Sequence, residues 1–196
     1  MKKISISGKH LIILCILGIA MMISIGCTSD EPAGVEVTET KVTAEFTPTA
    51  SGEAVHYTVL MPFLPTSTSN WDAGEPTGAQ ASYDEGSWSW ASNEYVNKDG
   101  IAMVDIVIQD TAGAMVGYQT IMDTYFEIDT PELKMEKETV QGYPGWVVTD
   151  KMDDTFTQLV DINDRFIIWT QVTGGKKDYI TLFNSMMDLD GIAALG

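Results

Sequence analysis

An apolar run from Leu11 to Ile25, preceded by Lys2, Lys3 and Lys9 and closed by Ser24-Ile25-Gly26-Cys27, constrains this chain more than any other feature of its sequence. A basic flank that stays in the cytoplasm, a short apolar stretch that enters the bilayer, and small residues one and three positions before a scissile bond make the pattern of a secretory signal. Ser24 and Gly26 are those small residues, so the expected cut falls between Gly26 and Cys27. The run has no polar face, which separates it from an amphipathic helix of a globular core. Its fifteen residues, rising about 1.5 Å each, cover roughly 22 Å, short of a hydrocarbon core about 30 Å thick. Residues 1–26 therefore read as a signal peptide. An uncleaved signal anchor and plain secretion are the alternatives.

A cysteine directly after the expected cut resembles the lipobox of bacterial and archaeal lipoproteins, although Ser24 stands where the lipobox usually carries leucine. The resemblance implies that Cys27 is lipid-modified and becomes the mature N-terminus. A lipid on Cys27 and an uncleaved anchor both give an extracytoplasmic protein attached to the outer face of the cell membrane.

Removing the leader changes the charge. Of eleven Lys and Arg, three lie in the leader, and all 28 Asp and Glu follow Cys27, so the remaining chain carries a net charge of −20. Such a surface repels phosphate backbones and anionic headgroups, which argues against nucleic acid as a partner. The cysteines are accounted for as well: Cys15 lies in the apolar run and Cys27 at the processing site. The folded part has no thiol for a disulfide, a metal or a covalent intermediate, so a packed core has to stabilise it.

Residues 27–52 are rich in Thr, Glu, Ala and Pro, with Phe46 as the only aromatic. That composition buries little and reads as a flexible acidic tether holding the domain on the order of 28 Å from its anchor. A strand through Val35, Val37, Val42 and Phe46 is the competing reading. Residues 53–196 are enough for one domain.

Within that domain, 54–65 reads as a strand closed by Pro62 and Pro65, and 66–87 as a long polar loop suited to binding. Strands are expected over 87–97 and 101–109, joined by a turn at Lys98-Asp99-Gly100. Met115, Tyr118, Met122 and Tyr125 recur three or four residues apart and predict a helix over 111–126. The charged run 132–138 reads as an edge strand. Strands at 146–150, 155–162 and 165–173 follow, the last two joined tightly by Asn163-Asp164. Gly174-Gly175 breaks the pattern before a helix over 176–187 with Ile180, Phe183 and Met187 on one side, and a terminal turn carries Ile192 and Leu195. The expected class is α+β: an antiparallel sheet of about six or seven strands with two packed helices. That order, with Leu64, Pro65 and Trp71 ahead of the first long loop, resembles the Mog1/PsbP/LpqN-like superfamily, and the resemblance implies a binding or assembly factor.

Catalytic signatures are sparse. His56 is the only histidine after the leader, and a serine triad needs a presented nucleophile as well. Neither G-x-S-x-G nor a glycine-rich phosphate loop is present, so catalytic residues and cofactors are expected to be none. Zinc would have to rely on carboxylates. For calcium, Asp150, Asp153 and Asp154 cluster at one turn, and Asp188-Leu189-Asp190-Gly191 mimics the start of an EF-hand loop whose later ligands are missing. Solvated turn aspartates explain both patterns, and no metal is expected.

Aromatic residues supply the remaining signal. Trp88 and Trp90 alternate along a strand and share one face. With Trp71 and Tyr83 on the adjoining loop they form the candidate ligand-binding set, a stacking platform for a sugar, a peptide or another apolar ligand. Core packing is the competing explanation. The function expected from these features is a non-enzymatic accessory domain that binds an envelope protein or a small ligand. The alternatives are an extracytoplasmic hydrolase using carboxylates, which needs a cleft with convergent Asp or Glu, and a structural subunit, which needs an apolar patch and no pocket.

Overall fold

The structure, a computed structural model, describes residues 52–83, 86–112 and 128–196. The expected leader, Cys27, nearly all of the expected tether and most of the helix expected over 111–126 lie outside the described residues.

The domain opens with a helical turn rather than a strand. Helix α1 spans Tyr57–Leu60 and runs on into a 3-10 turn over Met61–Phe63. His56 caps it, its Nδ1 accepting from the Thr58 backbone N–H, and Pro62 sits where the 3-10 turn needs no amide donor. Leu60 and Leu64, four residues apart, are buried while Val59 is exposed, which is helical spacing and not the alternation of a strand. The β-branched residues favoured a strand locally; burial of Leu60 and Leu64 overrides that preference.

Nine antiparallel strands follow: β1 (Trp71–Ala73), β2 (Thr77–Tyr83), β3 (Gly86–Asn97), β4 (Met103–Asp110), β5 (Ile128–Asp129), β6 (Leu133–Val140), β7 (Tyr143–Asp150), β8 (Thr155–Ile162) and β9 (Phe166–Thr173). Their spatial order is β1-β3-β4-β9-β8-β7-β6-β5, with β2 also on β3. The expected polar loop over 66–87 is thus largely sheet, because β1 and β2 pair with successive lengths of β3. An edge strand needs backbone pairing on one side only, so its side chains can stay small and polar. Gly78 is required there: a Cβ at this position would stand 2.6 Å from a ring carbon of Tyr57, so the bare backbone lets α1 lie against the sheet.

Among the described residues two further short helices follow the sheet, α2 (Asp178–Asn184) and α3 (Leu189–Ala193). With α1 they cover one sheet face. That face presents Ala91 and Tyr95 of β3, Val104, Ile106 and Ile108 of β4, Val160 and Ile162 of β8, and Phe166, Ile168 and Val172 of β9. Ile180, Phe183, Met187, Leu189 and Ile192 join the same core. Burial alternates along β3 as far as Tyr95 and throughout β4 and β9, as period-two patterning dictates.

The expected α+β class is therefore corrected. The sheet has nine strands rather than six or seven, and its helices are small: the one expected over 176–187 shortens to seven residues and yields to a separate α3. Asp188 Oδ1 accepts from the Gly191 N–H and restarts the chain as α3 where a longer helix would have run on. The architecture is a large antiparallel β-sheet with small helices on its core face.

The chain entering the domain is clasped to the sheet. Asp110 at the end of β4 is fully buried, and it accepts from the backbone N–H groups of Val55 and Ala112 at 2.8 Å each. Ser87 Oγ accepts from the Ala54 N–H at 2.8 Å, and Ser89 Oγ donates to the Val55 carbonyl at 2.6 Å.

Candidate functional site

The structure separates the four expected ligand-binding residues. Trp71 pairs in register with Asn97, so its side chain takes the same face as Tyr95, and it is buried edge-on against Tyr179 and Phe183 at centroid distances of 5.0 and 5.1 Å. Trp88 and Trp90 do share a face, but it is the opposite one, where both are half-buried. Tyr83 pairs through its backbone with Gly86, and its side chain lies outside the described residues. On the face of Trp88 and Trp90 the register adds two tryptophans the sequence reading did not group with them. Trp146, Leu159, Trp169 and Val107 form one row across β7, β8, β9 and β4. Trp146 is 1% exposed, and Leu159 and Asp161 beside it are also buried, so this stretch of the face is interior and not a stacking platform.

Four of the residues considered for metal or base chemistry have structural duties. His56 caps α1. Asp150 Oδ1 accepts from the Met152 and Asp153 N–H groups at its turn, Asp188 caps α3, and Asp190 accepts from the Tyr143 hydroxyl at 2.9 Å. Among the described residues no group of three or more His, Cys, Asp or Glu is placed to hold a metal. Asp161 is held partly protonated near neutrality: burial pushes its carboxyl up to about 6, the Asp164 N–H bond lowers it, and the Asp164 charge raises it again.

A cleft of about 250 Å³ lies on the core side of the sheet, lined by Glu138, Thr139 and Val140 of β6, Gln141 in the following turn, Gln158 of β8, and Thr181, Asn184 and Ser185 at the end of α2. Register sets the backbone beside Glu138. Glu138 is opposite Gly145 and Gly145 is opposite Val160, so a residue without a side chain stands between two strands. A Cβ on Gly145 would meet the Leu159 carbonyl at 3.0 Å, Val140 Cγ2 at 3.4 Å and Glu138 Cγ at 3.7 Å. One end is closed by Gln141, whose Nε2 donates to the carbonyls of Asn184 at 2.6 Å and Met187 at 3.2 Å. The rim is the exposed Thr139, Gln141, Thr181 and Ser185.

The interior is polar and incompletely paired. Gln158 is 1% exposed and Asn184 7% exposed. Gln158 Nε2 donates to Glu138 Oε1, which leaves Gln158 Oε1 without a partner, and Asn184 Oδ1 also has none. Thr170, opposite Gln158 on β9, likewise has a buried hydroxyl without a partner. A buried acceptor with no donor costs on the order of 1–3 kcal/mol, and most native buried polar groups avoid it. Both orphaned amide oxygens are shielded from solvent, so they lie behind the surface of the cleft and not on it.

None of these lining residues was singled out in the sequence. Gln158 sits inside a strand pattern, and Glu138 inside a charged run that reads as solvated edge. Compared with protein-family models, with characterised proteins and with solved structures, the chain matches none.

Proposed function

We propose that this chain is an exported protein held at the outer face of the cell membrane by its N-terminus, and that its sheet domain is a non-enzymatic binding module whose ligand enters the cleft beside α2. The observation that carries the reading is a solvent-rimmed cleft lined almost wholly by polar side chains, Glu138, Thr139, Gln141, Gln158, Thr181, Asn184 and Ser185. A hydrolase would call for two carboxylates converging on the reacting bond, whereas the lining of this cleft includes one, Glu138. The tether reading rests on Lys2, Lys3, the apolar run and Cys27. Ligand contacts, not bond cleavage, suit a site made of amides, hydroxyls and one carboxylate.

The binding half is tested by thermal unfolding of the full-length protein in detergent against small amines, polyols and sugars. Donor-rich compounds are expected to raise the midpoint, and Thr181→Met, which narrows the rim from an exposed position, is expected to abolish the rise. No rise with any compound overturns it. For the tether half, intact mass spectrometry of native membrane extracts is expected to give a chain beginning at Cys27 plus lipid, or a full-length chain; an unlipidated mature chain in the medium overturns it.

A further inference from the structure

Apart from the cleft beside α2, we infer that the outer edge of β2 is a docking site for an extended strand of another protein, one with aliphatic side chains at every second position. Among the described residues β2 pairs with β3 alone, so its other side presents a row of backbone N–H and C=O groups. Edges of this kind are ordinarily guarded by charge, proline, a bulge or extreme shortness. The opposite edge is guarded: β6 carries Lys134, Glu136, Lys137 and Glu138, and β5 covers Lys134 and Met135. Strand β2 reads TGAQASY, without charge or proline, in a chain that carries −20 after Cys27. All seven of its residues pair one to one with β3, so it has no bulge either.

The two faces of β2 differ in what they leave open. On the core side Gly78 lies against Tyr57, and Gln80 Nε2 donates to the Ala54 carbonyl at 3.3 Å, so α1 and the segment before it occupy that side. On the far side Ala79 pairs with Trp90 and Ala81 with Trp88, and both tryptophans are half-buried. A strand added outside β2 runs about 10 Å, two strand spacings, from β3. Only alanine methyls stand between, so branched aliphatic side chains on the added strand can lean over them toward the indoles, with a period of two that matches Ala79 and Ala81. Main-chain hydrogen bonds supply the affinity and the alternate side chains the selectivity, as in strand addition to other sheet edges. A second copy of this chain fits less well: its β2 brings alanine methyls that stop short of the tryptophans, and two strongly acidic chains repel. Lysines at the ends of the partner strand suit the site, because exposed Glu75 precedes β2 and Asp84 and Glu85 follow it in sequence.

The test titrates the ¹⁵N-labelled full-length protein in detergent with the peptide KTVTVTVTK, acetylated and amidated, and follows tryptophan emission and backbone amide exchange. A saturable emission shift is expected, with slowed exchange in 77–83 and none in 133–140. Serine in place of the three valines is expected to weaken binding about tenfold or more. Two further peptides carry N-methyl groups on the valine amides or on the threonine amides; every second amide of an added strand faces β2, so one of the two is expected to lose binding. Ala79→Lys combined with Ala81→Lys sets charge on the edge and is expected to abolish binding, with the unfolding midpoint of the variant measured beside it. Unchanged binding of both methylated peptides or of the serine peptide, slowed exchange at β6 in place of β2, or no binding of the parent peptide overturns the assignment. A dimer of the protein alone in sedimentation, dispersed by the same double substitution, overturns the partner strand in favour of self-pairing.

Discussion

Arg165 grips Asp110 with both ends of its guanidinium fork, Nε to Oδ1 and Nη2 to Oδ2, each at 3.0 Å, across a separation of 55 residues in sequence. The same carboxylate takes the Val55 and Ala112 amides, and Arg165 Nη2 also reaches the Glu53 carbonyl at 3.3 Å. One ion pair thereby joins the end of β4, the β8–β9 turn and the segment 53–55 that precedes α1.

Removing the buried partner of such a pair leaves an uncompensated charge and orphaned amides, which costs about 3–5 kcal/mol. Asp110→Ala is expected near the lower figure because the Arg165 side chain is 22% exposed and regains some water. Urea unfolding measures the loss, and hydrogen exchange is expected to show the Val55 amide unprotected. A loss under about 1 kcal/mol would mean the pair contributes no more than a surface salt bridge.

Asp161 links stability to pH in the opposite sense from most carboxylates. Its folded value of about 6 exceeds the ordinary 3.8, so the folded state holds a proton that the unfolded chain releases first. The stabilisation is complete below about pH 4 and is lost as pH rises through about 6, a swing on the order of 2–3 kcal/mol. Asp129 and Glu136, held below the usual range chiefly by hydrogen bonds from Lys151 and Lys134, pull the other way on acidification. The difference between wild type and Asp161→Asn isolates the effect, since Asn still accepts from the Asp164 N–H. The variant is expected to be the more stable above pH 6 and to converge with wild type below pH 4; parallel curves would show that Asp161 does not titrate in this window.

The turn between β8 and β9 places Asn163 and Asp164 both at φ 56°, the left-handed region that a type I′ hairpin demands. Asp164→Gly removes the steric cost of a side chain there and is expected to raise stability by about 0.5–1 kcal/mol. It also withdraws a negative charge that raises the Asp161 carboxyl, so its benefit should shrink in the Asp161→Asn background. Melting midpoints of the two single variants and the double variant check both statements, and strict additivity would remove the coupling.

Tyr95 donates its hydroxyl to the buried Pro65 carbonyl at 2.9 Å, tying β3 to the end of the α1 segment. Tyr95→Phe leaves that carbonyl unpaired and is expected to cost about 1–2 kcal/mol. Burial pushes the phenol well above its usual range, so alkaline absorbance titration should find one tyrosine that ionises only as the protein unfolds. Ionisation of every tyrosine in the folded state would contradict this.

Local patterning was sufficient wherever one face of a regular element is buried. The alternation Ser87, Ser89, Ala91, Asn93, Tyr95 announces β3, the apolar β4 run announces a central strand, and Asn163-Asp164 announces the hairpin, because side-chain period and turn chemistry act over neighbouring residues. Trp88 and Trp90 share a face by parity alone. Residues 54–64 misled because strand and short helix both tolerate their β-branched residues, and contact of Leu60 and Leu64 with the core decided between them. The polar run 66–87 became sheet through hydrogen bonds to a strand whose presence its own composition does not encode.

By itself the sequence determined a cysteine-free and strongly acidic stretch after Cys27, and the strands and hairpin that rest on short-range pattern. Tertiary structure alone decided that Trp71 goes to the core, that the sheet reaches nine strands, and that Glu138, Gln158 and Asn184 meet at one cleft. Their meeting depends on the registers of β6 on β7 and β7 on β8 and on where α2 lands, which are long-range pairings that no local pattern specifies.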